Sequence, residues 1–180
     1  EPLGMHDTGF YAPADKQDRL VTGYVGQNGK LAPFEPWNQL YAKRPSFLAG
    51  DSGLVSTADD YSAFARFMLS GTAPNGRRLL QAETLRIMTA NRLTPAQIAA
   101  GQLILGPGRS WGLGLGVYVS GNSWGVPPGA YGWDGGFGTS WLNDPARGLS
   151  GILLTQRVFD SPELPAVHRT FWRDLYTAVA

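Results

Sequence analysis

Four glycines, Gly132, Gly135, Gly136 and Gly138, fall within seven residues, and strand-like sequence runs on either side of them from Tyr131 to Leu149. A glycine inside a strand costs roughly 0.5–1 kcal/mol against alanine, so this density of glycine answers a geometric need. Two needs fit. Asp134-Gly135 is a tight-turn signal that would join two antiparallel strands. Equally, a backbone stripped of Cβ atoms lets a ligand approach main-chain N–H groups beside the Asp134 side chain. The local sequence leaves a plain hairpin and a functional strand equally open.

The surrounding periodicity places this segment in a sheet. From Trp111 onward the pattern predicts strands over Trp111–Val119, Ala130–Asp134, Phe137–Leu142 and Leu149–Gln156, separated by Gly, Pro, Asn and Asp clusters. A last amphipathic stretch, Leu164–Val179, repeats Val167, Phe171, Trp172, Leu175 and Val179 at helical spacing and would lie on one face of that sheet. Upstream, Ser56 and Thr57 stand three residues before Asp59 and Asp60, a helix-start signal. Tyr61, Phe64, Ala65, Met68 and Leu69 then share a face until Gly71. A second helix is expected over Ala82–Thr89, and a third opens at Thr94 with Pro95 in its first turn. Residues 1–50 read as a long loop region with one hairpin around Gln27-Asn28-Gly29 and aromatic clusters such as Phe34-Glu35-Pro36-Trp37. Helices, then an antiparallel meander, then a closing helix define an α+β fold in two unequal layers. Residues 1–105 form its loop-rich and helical part and residues 106–180 its sheet with the C-terminal helix.

Composition narrows the function. The net charge is +1, from 15 basic and 14 acidic residues mixed along the chain, so no basic face is offered to nucleic acid or anionic lipid. With no cysteine, thiolate nucleophiles, disulfides and Cys-based metal sites are excluded. His6 and His168 are too far apart in sequence for a recognisable metal motif, and no metal or other cofactor is expected. No apolar run reaches the roughly 18 residues that span a bilayer. The opening Glu1-Pro2-Leu3-Gly4-Met5 has neither the basic start nor the apolar stretch of a signal peptide. It reads as a connector inside a longer protein, and periplasmic, secreted and cytoplasmic settings all stay open.

Two short motifs point to known chemistries and fail on context. Gly50-Asp51-Ser52-Gly53 matches the nucleophile motif of trypsin-like proteases, but it leads straight into a capped helix, so it reads as a turn. Gly112-Leu113-Gly114-Leu115-Gly116 has the glycine count of a dinucleotide loop without the helix that must follow one, so it reads as close backbone packing within a strand. His168, near Pro165, reads as a surface or half-buried helix residue, and His6 carries no more weight. Asp134 fits a turn or a group facing a substrate.

Three stretches in consistent order carry a resemblance. They are Pro2-Leu3-Gly4-Met5 with Asp7-Thr8 and Phe10, then Ala49 through Asp60, then Tyr131-Gly132-Trp133-Asp134-Gly135-Gly136 followed by Asp144-Pro145. Together they resemble the serine β-lactamase-related family, which includes class C β-lactamases, family VIII carboxylesterases and penicillin-binding-protein-like peptidases. The resemblance implies an α/β domain packed on an all-α domain, with the active site between them. It implies a Ser-x-x-Lys nucleophile, a Tyr-containing second element, and a Lys-Thr-Gly-like triad on a strand edging the site. Trp133-Asp134-Gly135 stands in the triad's place, resembling the Trp-Gly-Gly variants of esterase-like members. Gly136 follows where the family's strand supplies one oxyanion-hole N–H. Loss of the triad's lysine points away from substrates held by a carboxylate and toward neutral esters or amides, with β-lactams a further possibility of the family.

The resemblance also marks what the chain lacks. Lys16, Lys30 and Lys43 are preceded at the required spacing by Pro13, Gln27 and Leu40, so this sequence holds no Ser-x-x-Lys. Tyr118-Val119-Ser120 has the form of a Tyr-x-Ser element but lies where the family order does not place one. The expectation is therefore the C-terminal part of a serine hydrolase, inactive alone and partnered by its own N-terminal portion and a small-molecule substrate. The alternative is a non-catalytic binding or regulatory module that keeps the cleft wall. Self-association through an exposed sheet edge is a further expectation.

Overall fold

In a computed structural model, residues 1–180 are described apart from the side chains of Trp37 and Asn38, so the expected aromatic cluster at Trp37 lies outside the described residues. The N-terminal third holds a 3-10 turn at Ala14–Arg19, a hairpin of β1 (Tyr24–Gln27) and β2 (Lys30–Pro33), and a short helix α1 (Glu35–Leu40). The helix α1 and the 3-10 turn were not legible in a region that the sequence presents as loop.

The helix α2 (Ala58–Ser70) begins where its capping signal stands. The Thr57 hydroxyl accepts a hydrogen bond from the Asp60 N–H, and Gly71 ends the helix in the left-handed conformation at φ 71°. Helix α3 (Ala82–Met88) follows, then α4 (Pro95–Ala100), whose Thr94 and Gln97 form a reciprocal capping box with Pro95 in the first turn. One further turn, α5 (Gln102–Leu105), leads into the sheet.

Five antiparallel strands in sequence order make that sheet: β3 (Arg109–Trp111), β4 (Gly116–Tyr118), β5 (Tyr131–Gly135), β6 (Thr139–Asp144) and β7 (Leu149–Leu154). The single strand expected over Trp111–Val119 is two. Leu113 N–H donates to the Met88 carbonyl at the end of α3, and Gly112 N–H donates to Leu115 O, which turns the chain between β3 and β4. A Cβ at position 112 would collide with that same Met88 carbonyl, so the glycine belongs to a turn pressed on a helix end and not to a strand interior.

Helix α6 (Ala166–Ala178) closes the chain. The sheet is covered on both faces, giving three layers where two were expected. On one face Ala65 and Met68 of α2 pack with Val117, Tyr131 and Trp141. On the other, Trp172 and Tyr176 of α6 pack with Tyr118, Ala130 and Leu142. The reason lies in β4 to β6, where neighbours of opposite orientation, Val117 with Tyr118 and Trp141 with Leu142, are all apolar and all buried.

Candidate active site

The glycine-rich segment is both a hairpin and the rim of a cavity. The last ladder pair of β5 and β6 is Gly135 with Thr139. Gly136, Phe137 and Gly138 form the loop, closed by a hydrogen bond from Gly138 N–H to Gly135 O of 2.9 Å. Such a three-residue connection needs a left-handed residue near its end, and Gly138 supplies it at φ 91°. On the other side, β4 pairs with β5 only at Val117 with Tyr131 and Gly116 with Gly132. Beyond Gly132, the edge of β5 opens into a cavity of about 910 Å³ whose lining includes Trp133, Asp134, Gly136 and Phe137.

Trp133 is a fixed wall. Its ring lies on Gly116, which leaves no room for a Cβ there, and meets the Trp111 ring edge-on at 4.5 Å between centroids. Gly135 sits in the ladder against Thr139. Gly136 lies outside the ladder, its carbonyl accepts the Phe159 N–H at 2.7 Å, and the space where a Cβ would stand is open for 4 Å.

Asp134 is neither a bare turn residue nor a free base. One carboxylate oxygen accepts from Arg109 Nη1 at 2.5 Å and the other accepts from the Ser140 hydroxyl. Ser140 Oγ in turn accepts from Trp172 Nε1 at 3.0 Å. The Arg109 and Asp134 side chains are only 9% and 8% exposed. An exposed pair such as Arg86 with Glu83 is screened by solvent and contributes little, whereas removing one partner of a buried pair strands a charge at a cost of about 3–5 kcal/mol. Burial works against the Arg109 charge, and Asp134 and Tyr118 together outweigh it, so the guanidinium pKa stands above its usual value.

The guanidinium carbon lies 4.7 Å from the centroid of the Tyr118 ring and 5.7 Å from that of Trp133. Its Nη2 and the Tyr118 hydroxyl are both buried without a hydrogen-bond partner among the described residues. Burial raises the Tyr118 pKa, so the phenol stays protonated. Sequence reasoning set Tyr118 aside and did not single out Arg109 or Ser140. The only signal was Arg109 opening a strand and Tyr118 closing its neighbour, and these two are register partners across the hairpin.

The remaining candidates lie elsewhere. Gly50 to Gly53 is a largely exposed segment ahead of α2, where the Ser52 hydroxyl donates to the neighbouring Asp51 carboxylate. His168 was expected at or near the surface and is 1% exposed, facing the Gly138 carbonyl at 3.3 Å and the Phe159 ring edge-on. Its pKa is lowered, chiefly by burial, with Asp134 opposing. The first two resemblance stretches meet through Asp60, whose carboxylate accepts Asp7 N–H at 2.7 Å and the Thr8 hydroxyl at 2.8 Å. Among the described residues no cluster of His, Asp or Glu could hold a metal ion, and no helix is long and apolar enough to cross a membrane.

Comparison with known proteins places the family and the fold. The profile of the Beta-lactamase family matches residues 1–170. Protein Rv1367c of Mycobacterium tuberculosis is 37% identical over 169 residues, covering 88% of this chain and 41% of that protein. The chain thus spans less than half the length of the curated relatives it matches. Simvastatin synthase (LovD) from Aspergillus terreus, in its LovD6 mutant, superposes with a TM-score of 0.79 at 22% identity, covering 98% of this chain and 48% of that one. EstCE1, a hydrolase with promiscuous acyltransferase activity, gives a TM-score of 0.75 at 22% identity over 97% of this chain and 47% of its own. These likenesses show the β-lactamase/transpeptidase type of fold in partial form, and with a family match over residues 1–170 the chain belongs to the β-lactamase family.

Proposed function

We propose that this chain forms one wall of the acyl-transfer cleft of a serine hydrolase acting on neutral ester or amide substrates. The observation that carries the reading is that β5 beyond Gly132 has no register partner in β4, and that Trp133, Asp134 and the following Gly136 line a large cavity in a chain of this family. In the mechanism the serine of a Ser-x-x-Lys element, which this sequence does not contain, attacks the substrate carbonyl. The developing oxyanion accepts two backbone hydrogen bonds, one from Gly136; its collapse breaks the ester or amide bond and expels the alcohol or amine, leaving an acyl-serine that water hydrolyses to the acid and free serine. Losing one such donor raises the barrier by about 3–4 kcal/mol. Trp133 supplies an apolar wall where a lysine would bind a carboxylate, and the Arg109 charge is already engaged by Asp134. Both features favour uncharged substrates.

The test is hydrolysis of a p-nitrophenyl ester and of nitrocefin. The 180 residues alone are expected to turn over neither, and the addition of an N-terminal portion carrying Ser-x-x-Lys is expected to restore ester hydrolysis first. Turnover by the 180 residues alone would overturn the assignment of the nucleophile. Continued inactivity with the N-terminal portion present would favour a non-catalytic binding module.

A further inference from the structure

The cavity beside Gly136 is aromatic on several sides. Trp124, Trp133, Phe137 and Phe159 all line it, and each of the four is only half-buried. Three of these rings are braced by a second ring that stands outside the cavity lining. Trp111 meets Trp133 edge-on at 4.5 Å between centroids, His168 meets Phe159 edge-on at 5.0 Å, and Phe34 meets Phe137 at a tilt at 6.5 Å. Side chains already held in place lose little freedom when a ligand arrives. The charged residues of the lining are Arg109, Asp134, Asp160, Glu163 and Arg169, and each is ion-paired: Arg109 with Asp134, Arg169 with Glu163, and Asp160 with Arg157. The described wall therefore offers an ionic ligand no uncompensated charge.

We infer that this cavity seats an uncharged aryl ring that the substrate carries close to the carbonyl presented to Gly136. Aromatic and saturated rings of one size bury nearly equal area, and the walls tell them apart. An aryl ring has a quadrupole, negative on its faces and positive at its edge, and gains edge-to-face or offset contacts with other rings that a saturated ring does not make. One well-placed pair is worth about twofold to tenfold in affinity beyond the area buried. A carboxylate on the ring would lose its water and find every cation of the lining already paired. A cationic group would meet the Arg109 guanidinium, whose central carbon lies 5.7 Å from the Trp133 ring centroid. Position agrees with the assignment, since Trp133 and Phe137 flank Gly136 in the chain and all three line one cavity of about 910 Å³. The inference rests on the acyl-transfer reading and adds the substrate class, aryl-bearing esters or amides. It is tested by binding and not by turnover, so each can fail without the other.

Four esters separate the outcomes: methyl phenylacetate, methyl cyclohexylacetate, and two methyl phenylacetates substituted at the para position, one with a carboxylate and one with a trimethylammonium group. Each is titrated against the 180 residues while the indole N–H signals of Trp124 and Trp133, both on the cavity wall, are followed by NMR. Methyl phenylacetate is expected to bind at least about fivefold more tightly than methyl cyclohexylacetate, with both charged esters below it. Phe137→Leu keeps an apolar side chain and removes one ring, and it is expected to cut that preference at least about twofold while the cyclohexyl ester holds its affinity. Phe159→Leu is expected to act likewise, and it decides if Phe137→Leu fails to fold. Should both fail to fold, the two neutral esters compared on the parent chain decide. Equal binding of phenyl and cyclohexyl esters, tighter binding of either charged ester, an unchanged preference in a folded Phe→Leu variant, or no saturable binding at all would overturn the proposal.

Discussion

Gly136 and Gly138 are two positions apart, and the space around them sets opposite demands. At Gly138 the backbone is left-handed, and an added Cβ would run into the Arg157 carbonyl oxygen and the Thr155 hydroxyl. Gly138→Ala is therefore expected to lower stability in urea unfolding by about 2–3 kcal/mol, combining backbone strain with a steric clash. Gly136→Ala meets open space and is expected to stay within about 0.5 kcal/mol of the parent. A large loss at Gly136 would show that its role is structural and remove it from the oxyanion reading. His168 adds a pH-dependent contribution. Its folded pKa lies below the ordinary 6.5, so the fold prefers the neutral ring, and stability is complete above pH 6.5 and falls as pH drops through the window beneath it. The thermal midpoint is expected to decline between pH 7.5 and 5, and His168→Gln, which keeps a donor for the Gly138 carbonyl, is expected to remove that part of the decline. The Asp7 carboxylate, held at about 2 by Arg19 and Lys16, acts in a separate window, losing its contribution only between its usual 3.8 and about 2. An identical midpoint profile in His168→Gln would refute the assignment.

Among the elements, Asn143 and Tyr131 tie the sheet to α2 by hydrogen bonds. Asn143 of β6 donates to the Ala65 carbonyl at 2.8 Å and accepts from Trp141 Nε1 at 3.0 Å and the Ser150 hydroxyl at 2.6 Å. Beside it the Tyr131 hydroxyl donates to the Met68 carbonyl at 2.6 Å. Asn143→Ala would take a partner from the buried Trp141 Nε1 and Ala65 carbonyl and from the half-buried Ser150 hydroxyl, and is expected to cost about 3 kcal/mol of stability in urea unfolding. Thr57→Ala, which removes only the α2 cap, is expected to cost about 1 kcal/mol. Equal losses from the two variants would mean that Asn143 is not such a tie. These two residues also mark the limits of what sequence conveys. The α2 cap was legible because its signal is local, Thr57 three residues before Asp60. The Asn143 hub was not, because its partner Ala65 is 78 residues away. The same holds at the site, where Trp133 to Gly136 stood out by glycine density, while Arg109 reaches Asp134 across 25 residues with no pattern to announce it. Alternating Leu113, Leu115 and Val117 imitated one strand, and the contact of Leu113 with the α3 carboxyl end, invisible in the alternation, made it two. Trp141 and Leu142, apolar at successive positions of β6, are buried on opposite faces, and the two-layer expectation did not take account of them.

For the molecule as a whole, the strand order leaves β3 and β7 at the sheet edges. β3 spans only Arg109–Trp111, and its Trp111 is packed against Trp133. β7 is six residues long, and beyond its end a single parallel bridge joins Arg157 to Tyr24. Among the described residues no strand covers the outer edge of β7, and a long uncovered edge is a template for pairing with another chain. The 180 residues on their own are therefore expected to associate in a concentration-dependent way, with the mass rising above 19.4 kDa in light scattering behind size exclusion. Leu154, 47% exposed near the end of that edge, is the place to interrupt it. Leu154→Lys puts a charge where a second strand would lie and is expected to shift the balance toward monomer without lowering the unfolding midpoint. The acyl-transfer proposal adds a second condition. If the N-terminal portion completes the cleft by extending this sheet, its addition must abolish the self-association at the same stoichiometry at which it restores ester hydrolysis. A chain that stays monomeric at every concentration would refute the edge, and self-association that persists in the hydrolytically active complex would place the N-terminal portion elsewhere than on β7.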